Sequence, residues 1–201
     1  VRKRSSNRIS YRVPLEVVDA FKVNETFSPK KLSGLTCREL FDELANIVDI
    51  VEDDEMDSKT AQERFLMLFV GNTHLKFVQE VNKYFTFDYA ADDLILLLMF
   101  CHLFVNENDD MVGFHNIDCM FSKCEMRNIR SQLEQGDNEL QTMNLVEFCN
   151  SNGMGERNYF RLTMKAKHEL LDELQLPSLT EKKTLRNMIN ATDIKTRTLL
   201  S

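Results

Sequence analysis

"YFRLTMKAKHELLDEL", residues 159–174, opens like a strand and becomes a helix with no loop between the two. Tyr159, Phe160 and Leu162 favour a pleated, extended backbone. Thr163 is a good N-cap, and beyond it Ala166, Leu170, Leu171 and Leu174 share one helical face. Upstream, "LQTMNLVEFCN" (140–150) mixes Met143, Leu145 and Phe148 with polar positions, as a partly buried strand does, and "SNGMGER" (151–157) is a turn cluster. The expectation is a hairpin whose second strand runs straight into a terminal helix.

Helices account for the rest. "KCEMRNIRSQLEQ" (123–135), capped by Ser122, puts Met126, Ile129 and Leu133 on one face and stops at Gly136 and Asp137. Before it, "MVGFHNIDCMF" (111–121) reads as a short extended piece and a short helix, with Ile117, Met120 and Phe121 inward, and "NENDD" (106–110) as a turn. A helix from about Tyr89 to Val105, capped by Asp88, is apolar nearly all round and belongs in the middle of the core. Three amphipathic helices precede it. One starts at the capping box Thr36 with Glu39 and carries Leu40, Phe41, Leu44, Ile47, Val48 and Val51. The charged connector "EDDEMD" (52–57) follows. A second box, Thr60 with Glu63, leads into Phe65, Leu66, Leu68 and Phe69 and is broken at Gly71 and Asn72. The third runs from about Thr73 to Phe85, with Leu75, Val78, Val81 and Phe85 on one side.

The fold class is therefore mainly α with a small β-hairpin: a basic, flexible arm over 1–31, a helical bundle over 32–88, a second domain over 89–176 and a connector over 177–201 that leads out of the fold. Pro177 and the cap at Thr180 and Glu181 mark the end of the last domain.

Composition narrows the function classes. With 201 residues, 43% hydrophobic and 28% charged, the chain has enough apolar material for one or two cores. Its longest apolar run, "LILLLMFCHLFV" (94–105), falls short of the roughly 18 residues of a membrane span and is interrupted by His102. No secretory signal is visible, and a start at Val1 reads as a fragment or a processed product. Five cysteines, odd in number and without a CxxC, argue against a disulfide framework and suit a reducing cytoplasm. His115, Cys119, Cys124 and Cys149 offer metal-ligating types, but their spacing matches no familiar zinc finger, and buried thiols are the simpler reading. The acidic clusters at 52–57 and 107–110 lack calcium-loop spacing and read as solvated charge.

Charge is uneven. Residues 1–31 carry eight Lys or Arg against three acids, residues 32–88 five against twelve, and residues 89–176 seven against fifteen. Basic ends flank an acidic body. Of the four histidines, His102 sits in the apolar helix as a hydrogen-bonded core residue, while His74, His115 and His168 lie near helix ends or exposed faces. None stands beside an obvious nucleophile, so no catalytic or cofactor residues are assigned and independent catalysis is not expected of this stretch.

Helix, short strand, short helix, longer helix, hairpin and exit helix is the order of a winged helix-turn-helix domain, and "YFRLTMKAKHELL" resembles the close of many bacterial winged-helix domains. More narrowly, "LTCRELFDEL", "DDLILLLMFCHLFVNENDD", "IRSQLEQGDNEL", "YFRLTMKAKHELLDEL" and "DIKTRTLL" together resemble the region N-terminal to the ATPase core in bacterial AAA ATPases of the spastin and Cdc48 type. The resemblance spans most of residues 32–201. It implies a bacterial, cytoplasmic, non-catalytic module that recruits or regulates by contact with protein. ATP and magnesium binding, and any oligomerisation, would belong to an ATPase module beyond Ser201. None of the six glycines here begins the GxxxxGK[ST] phosphate loop that ATP hydrolysis requires.

The winged-helix order raises a DNA-reading alternative. Helix 123–135 would enter the major groove and "SNGMGER" would be the wing. Arg127, Arg130 and Ser131 would face base edges, and Arg157 and Arg161 would meet phosphate. Charge argues against it. That helix has three basic residues against two acids, 150–161 has two against one, and the domain is acidic overall, whereas phosphate contacts supply most non-specific affinity.

Overall fold

Thr36 starts the first helix as its capping box requires: its Oγ accepts from the Glu39 N–H (3.3 Å), and the Glu39 carboxylate accepts from the Thr36 N–H (2.7 Å). The structure, a computed structural model, describes residues 21–22, 32–85, 91–149 and 156–177. The rest of the basic arm, the Asp88 cap, most of the 151–157 turn and the connector beyond Pro177 lie outside the described residues. Phe21 and Lys22 are helical and exposed and belong to a unit separate from residues 32–177.

Helix α1 (Cys37–Glu52) buries Leu40, Phe41, Leu44, Ile47, Val48 and Val51, the expected stripe. Helix α2 (Ser58–Gly71) begins earlier than the second capping box predicts. Its cap is Asp57, whose carboxylate accepts from the Thr60 N–H (3.0 Å) and hydroxyl (2.7 Å). A carboxylate at this position both caps and meets the positive end of the helix dipole, so Asp57 takes the place predicted for Thr60. Helix α3 (Lys76–Tyr84) is shorter than the predicted 73–85. Asn72 closes α2 and its carbonyl accepts from Leu75 N–H (3.0 Å), which keeps Thr73 and His74 in a turn. Helix α4 (Ala91–Asn106) is buried from Asp93 through Val105 and lies against α1 and α2.

The sheet is larger than the predicted hairpin. Strands β1 (Val112–Gly113), β2 (Val146–Cys149) and β3 (Glu156–Leu162) form an antiparallel sheet ordered β1-β3-β2. Val112 pairs with Phe160 and Gly113 with Tyr159 on one side of β3; Val146 pairs with Leu162 and Glu147 with Arg161 on the other. The piece after β1 is a pair of 3-10 turns, Phe114–Asn116 and Asp118–Met120. Helix α5 (Lys123–Gln135) has the predicted Ser122 cap and ends on Gly136, whose φ of 80° is the left-handed conformation that glycine adopts without strain.

Residues 140–145 are not strand. They hold a one-turn helix, α6 (Glu139–Thr142), and a left-handed turn at Asn144. Buried Asn138 is the reason. Its Oδ1 accepts from the Leu140 N–H (3.0 Å) and its Nδ2 donates to Asp93 (3.1 Å), tying the turn to α4. The exit helix α7 (Met164–Leu170) is also shorter than predicted and gives way to a 3-10 turn over Asp172–Leu174. Its start is pinned three ways: Thr163 Oγ accepts from Ala166 N–H (3.0 Å) and donates to the Asn144 carbonyl (2.8 Å), while Thr163 N–H donates to the Leu145 carbonyl (2.9 Å). A strand can become a helix without a loop here because the Thr163 hydroxyl and N–H bond on both sides of the joint.

Residues of the helical bundle and of the sheet share a single apolar cluster that includes Phe65, Phe77, Leu96, Leu133 and Phe160. Polar groups inside it are anchored. Lys167 is buried, ion-paired to Asp110, and lies with its ammonium 4.5 Å from the Phe104 ring centroid.

His102 is buried, with its Nδ1 2.9 Å from Asn106 Nδ2. That amide also donates to the Phe41 carbonyl (2.8 Å), so Nδ1 is the acceptor and the proton of the neutral ring sits on Nε2. Nε2 has no hydrogen-bond partner, and its nearest carboxylate oxygen, on Glu107, is 3.5 Å away. Burial pushes His102 down from 6.5 to about 4, against the opposing pull of Asp49. The unfolded chain therefore takes up the proton first, and stability present above pH 6.5 is lost as the pH falls toward 4. At pH 5 the expected loss from this residue is about 2 kcal/mol. Urea unfolding at pH 7 and pH 5 checks it: the wild-type chain should lose about 2 kcal/mol more than His102→Leu, and equal losses would remove His102 as the cause.

Candidate functional site

The residues predicted to face outward from α5 do so, but their side chains are not equally available. Arg127 is exposed and turns back on its own helix, its Nε donating to the Lys123 carbonyl at 3.1 Å. Ser131 accepts from Gln135 Nε2 at 3.1 Å. Arg161 faces away from the core on β3, and its Nε donates to Glu147 at 2.8 Å, directly across the β2–β3 pairing. The Arg157 side chain lies outside the described residues.

Arg130 differs from these. Its guanidinium lies 4.5 Å from the centroid of Phe114, and it has no carboxylate partner among the described residues. Phe114 is in turn backed by Phe160, with ring centroids 5.4 Å apart, so a core phenylalanine supports the platform on which Arg130 rests. Next to it is an open cleft of about 290 Å³ lined by Gly113, Phe114, His115, Arg130, Glu134, Asn158 and Tyr159. The glycine makes the cleft close-walled. A Cβ at Gly113 would stand 2.8 Å from the His115 ring and 3.2 Å from the Tyr159 ring.

The sequence brought Arg130 to notice by its outward position. It gave no sign of Gly113, Phe114, Asn158 or Tyr159 as its neighbours, because those meet only when β1 pairs with β3; Glu134, one turn along the same helix, is the neighbour that spacing could have found.

The N-terminal end of α5 is acidic. Glu125, in the first turn of α5, accepts from the Ser122 N–H (2.7 Å) and from Gln62 of α2 (3.4 Å). The Ser122 backbone bond holds its carboxyl below the usual range, so the N-terminal end of α5 carries a fixed negative charge. Of the metal-ligating types noted in the sequence, Cys149 is buried, Cys119 half-buried, and Cys124 and His115 exposed. Burial pushes the Cys119 thiol up to about 11. No three His, Cys, Asp or Glu side chains converge as a metal site among the described residues. His74 Nε2 donates to the Leu35 carbonyl (2.9 Å) and so helps to hold the chain entering α1. No helix among the described residues is long and apolar enough to cross a membrane.

No family model, curated protein or solved structure matches this chain.

Proposed function

We propose that this chain is a non-catalytic recruitment or regulatory module that acts by protein contact, as part of an AAA-type ATP-binding protein, with a winged-helix-like arrangement over 89–176. The arrangement is supported by the order α4, β1, two 3-10 turns, α5, β2 and β3, with β1 joining β3. Its attachment to an ATPase rests on the sequence resemblance alone. One observation carries the choice of protein over DNA: of the arginines suited to nucleic acid, Arg127 is bonded to its own helix and Arg161 to Glu147. Glu125 stands where a reading helix would meet the duplex. A groove reader collects phosphates with free Lys and Arg, and this face offers few.

Fluorescence anisotropy with a labelled 20-base-pair duplex across a salt series decides between the two readings. The expected result is no binding at low salt. Binding that falls linearly in log salt and is abolished by Arg127→Glu with Arg130→Glu would establish the groove-reading alternative, which the exposed Lys123 on the same face favours.

A further inference from the structure

Arg130 has the properties of a preorganised anchor. A guanidinium stacked on an aromatic ring keeps its in-plane N–H groups free while its long side chain is already ordered. Phe114 supplies the ring, and Phe160 holds that ring from the core side. The donors of Arg130 have no carboxylate partner among the described residues, and no described residue bonds to the Tyr159 hydroxyl or the Asn158 side chain across the cleft. Those groups suit a planar oxyanion, which an arginine fork binds through two parallel hydrogen bonds.

The remaining wall restricts the kind of anion. Glu134, one turn along α5 from Arg130, also lines the cleft. Duplex DNA brings a phosphate charge about every 1.7 Å of axis, so several would face Glu134 and the acidic body together. A single carboxylate on a peptide meets Arg130 alone, and the peptide's own N–H groups are donors that Glu134 can accept. The cleft, at about 290 Å³, has the volume of a side chain with its flanking backbone rather than of a duplex groove wall.

We propose that the cleft between α5 and the β1–β3 pair is a docking site for a peptide segment of a protein partner that presents one carboxylate side chain. Arg130 grips one carboxylate, and Glu134, Asn158 and Tyr159 engage the adjoining backbone. This site rests on the protein-contact reading given above.

The test is an NMR titration of the full ¹⁵N-labelled chain, following the Arg130 Nε–H signal. The probe is an acetylated and amidated pentapeptide with one central Glu among alanines, with the Gln-for-Glu peptide as comparison. Expected is a saturable shift with the Glu peptide, none with the Gln peptide, and at least about tenfold weaker binding in Arg130→Gln. Arg127→Gln, which alters an arginine outside the cleft lining, should bind as the wild type does. Equal response to both peptides, or wild-type affinity in Arg130→Gln, overturns the site. Absence of Glu-peptide binding with no duplex binding overturns this site alone; salt-dependent duplex binding overturns the protein-contact reading as well.

Discussion

Phe160→Ala is expected to lower unfolding stability by about 4 kcal/mol. Phe160 is fully buried in the central strand β3, with the Phe114 and Phe148 rings at 5.4 and 5.3 Å and Val112 and Phe148 as its strand partners. Removing it leaves a cavity between rings held by different elements, Phe114 in the 3-10 turn after β1 and Phe148 on β2, so the site has little freedom to collapse. Urea denaturation should show a lower midpoint with an unchanged slope. Arg161→Ala is the comparison. The Arg161–Glu147 pair is 38% and 43% exposed, and its loss should amount to less than about 1 kcal/mol. Equal effects at the two positions would contradict the burial pattern of β3. Below the melting point, Phe160→Ala should also weaken the Glu-peptide response, because Phe114 loses the ring behind it.

Asn72→Ala is expected to cost about 3 kcal/mol, although the substitution removes little apolar surface. Asn72 is fully buried, and its Nδ2 donates to the carbonyls of Leu68 (2.7 Å) and Leu32 (2.8 Å) while its Oδ1 accepts from the Leu35 N–H (2.9 Å). One side chain thus closes α2 and holds the segment that leads into α1. Gly71 lets that segment pass: a Cβ there would stand 2.9 Å from the Leu32 carbonyl oxygen. Alanine at position 72 leaves two carbonyls and one N–H without their bonds. Asn72→Asp keeps the acceptor but loses both donors and sets a carboxylate against two carbonyl oxygens, so it should be no more stable than the alanine variant. Thermal unfolding of the two variants separates this account from a simple loss of volume, which would spare aspartate.

The helical part of the fold was legible because its signals are local. Thr36 with Glu39 and Ser122 with Glu125 each write a helix start into four residues, and the apolar run of α4 announces a core position by composition alone. Misreadings fall where a distant partner decides. Strand β1 is legible as a short extended piece, but its two residues are too few to show alternation, and the return of Phe160 and Tyr159 to pair with it is not. Helix α6 depends on Asn138, whose bond to Asp93 spans 45 residues. The start of α2 was misplaced for a different reason: Asp57 and Thr60 are both competent caps, and charge rather than spacing separates them.

The candidate surface shows the same division. Periodicity alone found the outward face of α5 and hence Arg127, Arg130 and Ser131. It could not show that Arg127 is spent on its own helix while Arg130 rests on Phe114, because the first depends on a rotamer and the second on a strand that pairs across the sheet. Arg161 is a phosphate contact only in the DNA-reading alternative, and the register that sets it opposite Glu147 is visible only with the hairpin in place.

Strand β3 writes two texts in one line. Phe160 and Leu162 point into the core, while Tyr159 and Arg161 between them point out, toward the cleft and toward Glu147. Substitutions at the outward positions can therefore change what the surface recognises while the inward positions keep the packing intact. A chain built this way can acquire a new partner one residue at a time without first losing its fold.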